Sequence, residues 1–459
     1  MSAEAERLSL SQRRGRLLRV LGVGFGIAVI VGNTIGAGIF RAPGAIAQQV
    51  PNAWVFMAVW LAGGLYALLG AIGIAELGAM IPKSGGQYVF ARYALGEYAG
   101  FIVGWSDWIS TCGTTAAVAI VIGEFSGVLF PSLSGHAVGL AVAITIIFAA
   151  FQWRGIVLGC QVQNTTSLLK ALAFLILIGA AFIFGGKTQS VATTGSATTA
   201  GSTLLLIPMM LALQSVIYTY DGWTGVVYFS EEVKDPGRDV PRSLFGGVLL
   251  IIGIYLLVNL ALLHTLGLGG FAGQDFAAGT AAHAIFGKSG ETILIALTIV
   301  SMLSGINAYH LMATRVLFAM SRDGLFLRDA AAVNPGGTPA LALFISVAVA
   351  ILFIVFGKTF ETVISALAFF FVANYTLSFL SVFVLRRREP EKERPYRSWG
   401  YPWTTALALL GSVAFLIGAV ASDIATPSTK TKPSIYALIL LAASYPVFRV
   451  LKRLARWRG

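Results

Sequence analysis

The chain reads Gly32-Asn33-Thr34-Ile35-Gly36-Ala37-Gly38-Ile39-Phe40 near the middle of its first long apolar stretch, residues 20–49. Glycine destabilises the interior of a helix by roughly 1 kcal/mol relative to alanine, and several glycines lie here beside Asn and Thr. Two interpretations fit this composition. The small residues allow close packing against another helix, or the helix is broken and its freed backbone N–H and C=O groups face a substrate cavity.

A second apolar stretch, residues 203–229, carries a comparable interruption. It reads Gln214-Ser215-Val216-Ile217-Tyr218-Thr219-Tyr220-Asp221-Gly222-Trp223-Thr224-Gly225. A charged residue at the centre of a membrane helix costs at least about 2.5–3.5 kcal/mol, so Asp221 is expected to face protein or water rather than lipid. A cap on a broken helix explains this residue, because Asp favours helix amino ends. Direct binding of a cation is the alternative, and we favour the cap.

The composition around these interruptions is that of a polytopic α-helical membrane protein. Of the 459 residues, 57% are hydrophobic and 11% are charged, whereas soluble domains carry about 25% charged residues. Disorder requires the opposite composition. Apolar runs of sufficient length predict twelve membrane helices, numbered here as spans 1 to 12. Their predicted limits are 20–49, 54–80, 95–130, 137–151, 163–185, 203–229, 243–266, 291–320, 341–356, 361–385, 404–421 and 434–450.

The net charge of +12 has a topogenic distribution. With a cytoplasmic amino terminus, the inner segments hold 25 Lys and Arg residues and the outer segments hold 6. This bias predicts that both termini are cytoplasmic, and it lacks the single basic face of a nucleic-acid-binding protein. The longest predicted water-exposed pieces, 186–202, 267–290 and 386–403, are too short to bury a core. Function is therefore expected inside the helical bundle.

The interruptions fall in spans 1 and 6, five helices apart, which is the pattern of an inverted 5+5 repeat. In such a fold the broken helices meet at the bilayer midplane around the ligand. The predicted organisation is a cytoplasmic tail, two five-helix repeats, two further helices and a second cytoplasmic tail. The corresponding limits are 1–19, 20–185, 203–385, 404–450 and 451–459.

Lys170 is the third unusual residue, because it lies one or two turns inside span 5. A lysine that snorkels to the cytoplasmic interface and a lysine buried in the bundle both fit its position. Cys112 and Cys160 lie in or beside apolar segments and indicate no disulfide framework. The four histidines lack the spacing of metal ligands. We therefore expect no metal, no cofactor and no intramembrane enzyme.

Several motifs, taken together in this order, make the sequence similar to the amino acid–polyamine–organocation (APC) superfamily of transporters, and within it to the L-type amino acid transporter branch. The resemblance covers nearly the whole chain. It rests on Ile35-Gly36-Ala37-Gly38-Ile39-Phe40, Ala75-Glu76-Leu77-Gly78-Ala79-Met80-Ile81-Pro82-Lys83-Ser84-Gly85-Gly86, Val162-Gln163 with Lys170, Tyr220-Asp221-Gly222-Trp223, Glu231-Glu232-Val233-Lys234-Asp235-Pro236, Arg315-Val316-Leu317-Phe318, Ser321-Arg322-Asp323-Gly324 and Arg388-Glu389-Pro390-Glu391-Lys392-Glu393-Arg394-Pro395.

The resemblance implies the LeuT-type fold with broken spans 1 and 6, and it implies a substrate site. The substrate α-carboxylate would bind backbone N–H groups at the amino end of the outer half of span 1, where the helix carries about half a positive charge. These are the groups around Gly36, Ala37, Gly38 and Ile39. The α-ammonium would bind carbonyls at Thr34 and from Tyr218 to Asp221, beside the Ile35 break. Weaker candidates for the pocket wall are Thr115, Tyr220, Asn307 and the stretch 369–372.

Lys170 matches a lysine that occupies the cation position of sodium-coupled relatives. The resemblance therefore implies sodium-independent transport, although a buried lysine also leaves proton coupling open. Animal members pair with a glycoprotein through a cysteine between spans 3 and 4. Residues 130–136 contain none, so we expect no disulfide-linked heavy chain. Asp221 replaces the Gly of some members, which adds a carboxyl group near the ammonium site.

The leading hypothesis is an alternating-access exchanger or facilitator that carries neutral L-amino acids across the plasma membrane. A proton-coupled or cationic amino acid transporter of the same fold is the alternative, and a sodium-coupled symporter is disfavoured by Lys170. An amino-acid sensor, or transceptor, is the hypothesis from another class. The absence of an accompanying signalling domain argues against it.

Overall fold

The computed structural model describes residues 17, 19–185, 202–357, 360–425 and 432–457. The secondary structure of these residues is helical, apart from one isolated β-bridge between Leu21 and Val233. In the first half, the helices are Val23–Thr34 (span 1a), Ala37–Gln49 (span 1b), Ala53–Met80 (span 2), the short helix Gln87–Leu95, Glu97–Leu129 (span 3), Ala137–Arg154 (span 4) and Ile156–Phe184 (span 5).

The second half begins with another interrupted span. Its helices are Ser202–Tyr220 (span 6a), the 3₁₀-helix Gly225–Phe229 (span 6b), Pro236–Phe271 (span 7), Ala277–Arg322 (span 8), Ala340–Gly357 (span 9), Phe360–Arg388 (span 10), Trp403–Ala425 (span 11) and Pro433–Trp457 (span 12). Two further 3₁₀ turns are Pro131–Leu133 and Arg328–Ala331.

Within the described residues, ten helices are long and apolar enough to cross a membrane, and the bent pair 1a and 1b forms an eleventh span. Spans 6a and 6b together occupy the position of the remaining predicted helix. The all-helical, polytopic prediction is therefore confirmed. The predicted tail 1–19 and loop 186–202 lie largely outside the described residues.

The predicted limits of spans 7 and 8, 243–266 and 291–320, are too short, because most of the segment 267–290 between them is helical. Span 7 continues to Phe271 and span 8 begins at Ala277. Each helix turns at a glycine with positive φ, Gly267 (φ 66°) and Gly287 (φ 66°). Glycine adopts this conformation without steric cost. The chain therefore leaves the membrane direction while remaining helical, which a search for apolar runs does not detect.

The two broken spans pack against each other, half against half. Span 1b lies along span 6a, and span 1a contacts span 6b, span 5 and span 7. Span 8 packs along spans 3 and 5 and also reaches both halves of span 1. The interruptions of spans 1 and 6 therefore lie in the middle of the bundle, surrounded by spans 3, 7, 8 and 10.

Tryptophans mark the two ends of the bundle. Trp54 lies in the first turn of span 2 and is 87% exposed, whereas Trp399 and Trp403, 75% and 77% exposed, lie just before and at the start of span 11, at the opposite end. Such aromatic residues are enriched at the two membrane–water interfaces. Near Trp399, the carboxylate of Glu76 on span 2 accepts hydrogen bonds from Arg386, at 2.7 and 2.6 Å, and from Arg394, at 3.1 Å.

Candidate substrate site at the two helix breaks

Span 1 is interrupted between Thr34 and Ala37. Ile35 and Gly36 have non-helical backbone angles, and the helices on either side are bent by 46°. The amino end of span 1b has no side-chain cap and no acidic residue in its first turn. Its first N–H groups therefore form an uncapped, partially positive helix end, which suits a carboxylate.

Glycines allow the two breaks to touch. Gly222 has φ 104°, and a Cβ atom there would lie 2.8 Å from the Cβ of Asn33. A Cβ atom on Gly38 would lie 3.0 Å from the Cα of Thr219. Because these separations leave almost no space for a side chain, glycine at both positions lets the backbones of spans 1 and 6 cross.

A small cavity of about 10 Å³ lies where the breaks meet. Its lining comes from spans 1, 3, 6 and 8: Asn33, Thr34, Gly36, Gly38, Thr114, Tyr218, Thr219, Asp221 and Tyr309. A volume of this size accommodates one water molecule. An amino acid therefore enters only when the surrounding helices move apart.

Tyrosine hydroxyls hold the freed carbonyls of both breaks. Tyr255 on span 7 donates to the carbonyl of Thr34 at 2.6 Å and lies 2.9 Å from the carbonyl of Thr219. Tyr309 on span 8 donates to the carbonyl of Asn33 at 2.8 Å. Each carbonyl has two lone pairs, so the Thr34 carbonyl, predicted to bind the α-ammonium, retains one for a ligand.

Lys170 reaches the break of span 1 from span 5. Its Nζ donates to the carbonyl of Gly32 at 3.0 Å and to that of Ile35 at 2.6 Å, and the side chain is buried. Burial of this kind excludes the snorkelling interpretation. The ammonium thus joins span 5 to the last turn of span 1a and to the first residue of the interruption.

A second cavity, also about 10 Å³, adjoins the first and shares Thr114, Asp221 and Tyr309 with it. Its other lining residues come from spans 3, 6, 8 and 10 and the short helix before span 3: Gln87, Asp107, Thr111, Gly222, Thr224, Tyr228, Met312 and Phe371. The lining contains two carboxylates and no Lys, Arg or His.

Each of the two carboxylates accepts hydrogen bonds from a tyrosine. Tyr228 donates to Asp107, with distances of 2.8 and 2.9 Å to its two carboxylate oxygens, and Tyr375 on span 10 donates to Asp221. The cap interpretation of Asp221 is wrong. This residue follows the carboxyl end of span 6a, and the N-cap position of span 6b is Thr224, which makes no side-chain cap.

Contacts on either side separate the cavities from the two faces of the bundle. On one side, Leu21 pairs with the backbone of Glu232 and Lys234, and Arg315 on span 8 forms a fully buried ion pair with Glu232, with Nε 3.1 Å from Oε1. On the other side, Arg41 on span 1b donates to Glu124 on span 3 at 2.8 Å.

Comparisons with known proteins are consistent with this architecture. The family model described as amino acid permease matches residues 26–444. The chain is 29% identical to the serine/threonine exchanger SteT of Bacillus subtilis, over 95% of this chain and 98% of that protein. It is 26% identical to the Asc-type amino acid transporter 1 of Mus musculus, over 84% and 74% of the two chains. It is also 26% identical to the human b(0,+)-type amino acid transporter 1, over 83% and 79%.

The chain belongs to the amino acid permease family. It is an amino acid transporter of the APC superfamily and not an enzyme. In this permease, five of the ten predicted substrate-binding residues line one cavity. Thr34, Gly36, Gly38, Tyr218 and Asp221 line the first cavity.

Other predicted residues of the permease lie beside the cavities rather than in their lining. The carbonyl of Ile35 accepts a hydrogen bond from Lys170, and Ile39 is buried in the first turn of span 1b. Ala37 is described only by its backbone, at the first position of that helix. Tyr220 packs against the rings of Trp60 and Tyr255, on the side of spans 2 and 7.

The weaker candidates for the pocket wall of the permease also lie partly in the cavity lining and partly outside it. Thr114, and not Thr115, faces the cavities, because successive residues of a helix point about 100° apart. Asn307 is engaged behind span 1, where it donates to the carbonyl of Gly159 at 3.0 Å. Within 369–372, Phe371 lines the second cavity and stacks on Tyr218 with ring centroids 6.4 Å apart.

Sequence reasoning missed Asp107, Tyr255, Tyr309 and Tyr375 as members of the site. Asp107, Thr111 and Thr114 are spaced by four and three residues, so they share one face of span 3. This polar face of span 3 could have been recognised in the sequence as a candidate wall of the site. The three tyrosines carry no comparable signal, because a single tyrosine in an apolar helix is an ordinary core residue.

Proposed function

We propose that this permease is a sodium-independent, alternating-access exchanger of neutral L-amino acids. The observation that carries this proposal is the position of Lys170. Its ammonium donates to the carbonyls of Gly32 and Ile35, which are oxygen ligands of the kind a sodium ion requires. A fixed positive charge in this place repels Na⁺ and satisfies the same carbonyls.

The substrate backbone is proposed to bind between the two breaks. Its carboxylate accepts hydrogen bonds from the amino end of span 1b, and its ammonium donates to carbonyls at the carboxyl ends of spans 1a and 6a. Both interactions use the partial charges of helix ends. Tyr218 then covers the bound amino acid as an aromatic gate. The resemblance to a serine/threonine exchanger supports exchange of small neutral substrates.

The experiment is uptake of labelled serine, alanine or leucine by purified protein in liposomes. External buffer contains either sodium or choline, and liposomes are either empty or loaded with unlabelled serine. Uptake that requires internal serine and is equal in the two buffers is the expected result. A steep sodium requirement contradicts the proposal. Binding of label to the detergent-solubilised protein without uptake supports the sensor hypothesis instead.

A cationic substrate is the second candidate function, and the two carboxylates of the second cavity favour it. Asp107 and Asp221 line one small space that holds no basic side chain, and buried like charges are unfavourable unless a cation or protons compensate them. The side-chain ammonium of lysine supplies such a charge. Proton coupling through the same carboxylates is the related alternative.

Lysine and norleucine separate these candidates, because they differ mainly by the terminal ammonium. In competition with labelled serine, a second-cavity cation site predicts stronger inhibition by lysine than by norleucine. Asp107→Asn then weakens inhibition by lysine about tenfold or more, the effect of a lost charge pair of about 1.4 kcal/mol. Equal inhibition by the two compounds, or no inhibition by lysine, contradicts the cation site and supports the neutral amino acid exchanger. A proton-coupled carrier instead accumulates label in empty liposomes only with an inward proton gradient.

We also propose that the permease lies in the plasma membrane with both termini cytoplasmic, as two inverted five-helix repeats, 20–185 and 203–385, followed by spans 11 and 12. The distribution of Lys and Arg supports this orientation. We propose that it works without a disulfide-linked heavy chain, since residues 130–136 contain no cysteine. Protease accessibility of terminal tags in sealed right-side-out vesicles tests the orientation.

A further inference from the structure

A groove of about 810 Å³ opens beside the start of span 7. It lies at the end of the bundle where Leu21 pairs with Val233, just before that helix. We call it the arginine groove and define it by its lining residues: Asp235, Gly237, Arg238, Pro241, Arg242, Phe245, Pro395 and Tyr396. The last two residues belong to the loop between spans 10 and 11.

The two arginines are exposed and lie one helical turn apart on the same face of span 7. Among the described residues, neither guanidinium forms an ion pair or a hydrogen bond. The lining contains one carboxylate, Asp235, so it has an excess of one positive charge. A planar guanidinium with five N–H donors suits the oxygens of a phosphate group.

An apolar surface continues from the arginines along span 7. Phe245 forms the inner wall of the groove together with Tyr396, with ring centroids 5.7 Å apart. One turn further into the membrane, Leu249 and Leu250 are 55% and 42% exposed. In a multi-pass membrane protein such side chains face lipid. The groove therefore joins two cations at the membrane surface to a hydrocarbon-facing stripe.

We propose that the arginine groove binds an anionic phospholipid, with the lipid phosphate on Arg238 and Arg242 and an acyl chain along Phe245 and Leu249. Phosphatidylglycerol fits this chemistry best. Its phosphodiester carries the negative charge that the arginines attract, and its terminal hydroxyls donate to the carboxylate of Asp235. A zwitterionic headgroup brings a second cation close to the guanidinium groups.

Such a lipid bridges elements that surround the substrate site. A Cβ atom on Gly237 would lie 2.8 Å from Pro395, so the start of span 7 already touches the loop before span 11. On the other side of the helix, Gly247 packs closely against Ile30 of span 1a. A lipid in the groove therefore contacts the helix that supports the inner half of span 1.

The test measures the binding of dioctanoyl phosphatidylglycerol to the delipidated, detergent-solubilised full-length protein. Binding is detected as an increase in the thermal unfolding temperature of the protein. Dioctanoyl phosphatidylcholine and inorganic phosphate are titrated in parallel. The test variant is Arg238→Gln/Arg242→Gln. The matched control, Arg154→Gln/Arg328→Gln, removes two other exposed arginines that form no ion pair among the described residues. Serine exchange in phosphatidylcholine liposomes checks that both variants are folded.

Phosphatidylglycerol is expected to stabilise the wild type and the control variant equally. The test variant is expected to lose about 30-fold in affinity, since each surface arginine contributes about 1 kcal/mol toward an anionic membrane lipid. Unchanged affinity in the test variant, or an equal loss in the control variant, overturns the proposal. Inorganic phosphate that binds as tightly as the lipid also overturns it, because the apolar stripe then contributes nothing.

Discussion

Lys170 on span 5 donates a hydrogen bond of 2.6 Å to the backbone carbonyl of Ile35, the first non-helical residue of span 1. The same ammonium donates to the carbonyl of Gly32 in the last turn of span 1a. A single side chain therefore stabilises the interruption that forms the substrate site. The geometry of the substrate site therefore depends on one charged side chain inside the membrane.

Lys170→Met is expected to reduce exchange at least tenfold. Methionine keeps the apolar part of the side chain but removes the ammonium, so the carbonyl of Gly32 loses this donor and that of Ile35 keeps only the hydroxyl of Ser301, at 3.4 Å. An unsatisfied buried group costs about 1–3 kcal/mol. The measurement is the initial rate of serine exchange together with thermal stability. Leu169→Met, at a neighbouring exposed position of span 5, is the control. Wild-type exchange by Lys170→Met contradicts this role.

Gly38→Val is expected to abolish exchange, because even the Cβ atom would lie only 3.0 Å from the backbone of Thr219. The added side chain separates spans 1b and 6a where they cross. Gly253→Ala on span 7 is the control, since no atom lies within 4 Å of a Cβ at that position. Alanine is favoured over glycine in a helix by about 1 kcal/mol, so the control variant is expected to be as stable as the wild type or more so. Equal activity of the two variants refutes the close crossing.

Tyr255→Phe removes the hydroxyl that contacts the carbonyls of Thr34 and Thr219. We expect exchange to fall about tenfold, corresponding to one lost hydrogen bond of about 1.4 kcal/mol, within the usual range for such bonds. The ring remains to pack against Trp60, so the protein should fold. Tyr436→Phe, at a half-exposed position of span 12, is the matched control. If the two variants have the same rate, the hydroxyl does not connect the breaks.

Glu232→Gln is expected to destabilise the folded protein by about 3–5 kcal/mol, because it leaves the guanidinium of Arg315 as an unpaired buried charge. Both side chains are fully buried. Glu231→Gln is an informative control, because Glu231 pairs with Arg322 where both side chains are 30% exposed. Exposed pairs contribute about 0–1 kcal/mol. Unfolding in detergent that shows equal losses for the adjacent glutamates contradicts this assignment.

Much of the site was predictable because it consists of non-helical backbone at residues that disfavour a helix. Glycines beside Asn33 and Thr34 marked the unusual stretch of span 1, and Asp221 with Gly222 marked that of span 6. Close helix packing also explained the first stretch until the resemblance to APC transporters favoured a broken helix. Lys170 was identifiable as unusual, since a cation in an apolar run requires a partner. The partners of Lys170 could not be predicted, because every residue has a backbone carbonyl and the sequence does not show which carbonyls are free.

The sequence by itself determined the helical membrane fold, the positions of the two polar, glycine-containing stretches in spans 1 and 6, and the distribution of charge, because each follows from composition. Only the tertiary structure decided that Thr114 rather than Thr115 faces the cavities, that Tyr255 contacts both breaks, and that Asp107 lies beside the same space as Asp221. The physical reason is that helix rotation and crossing are set by packing between distant segments. A difference of one residue then changes which side chain faces the substrate.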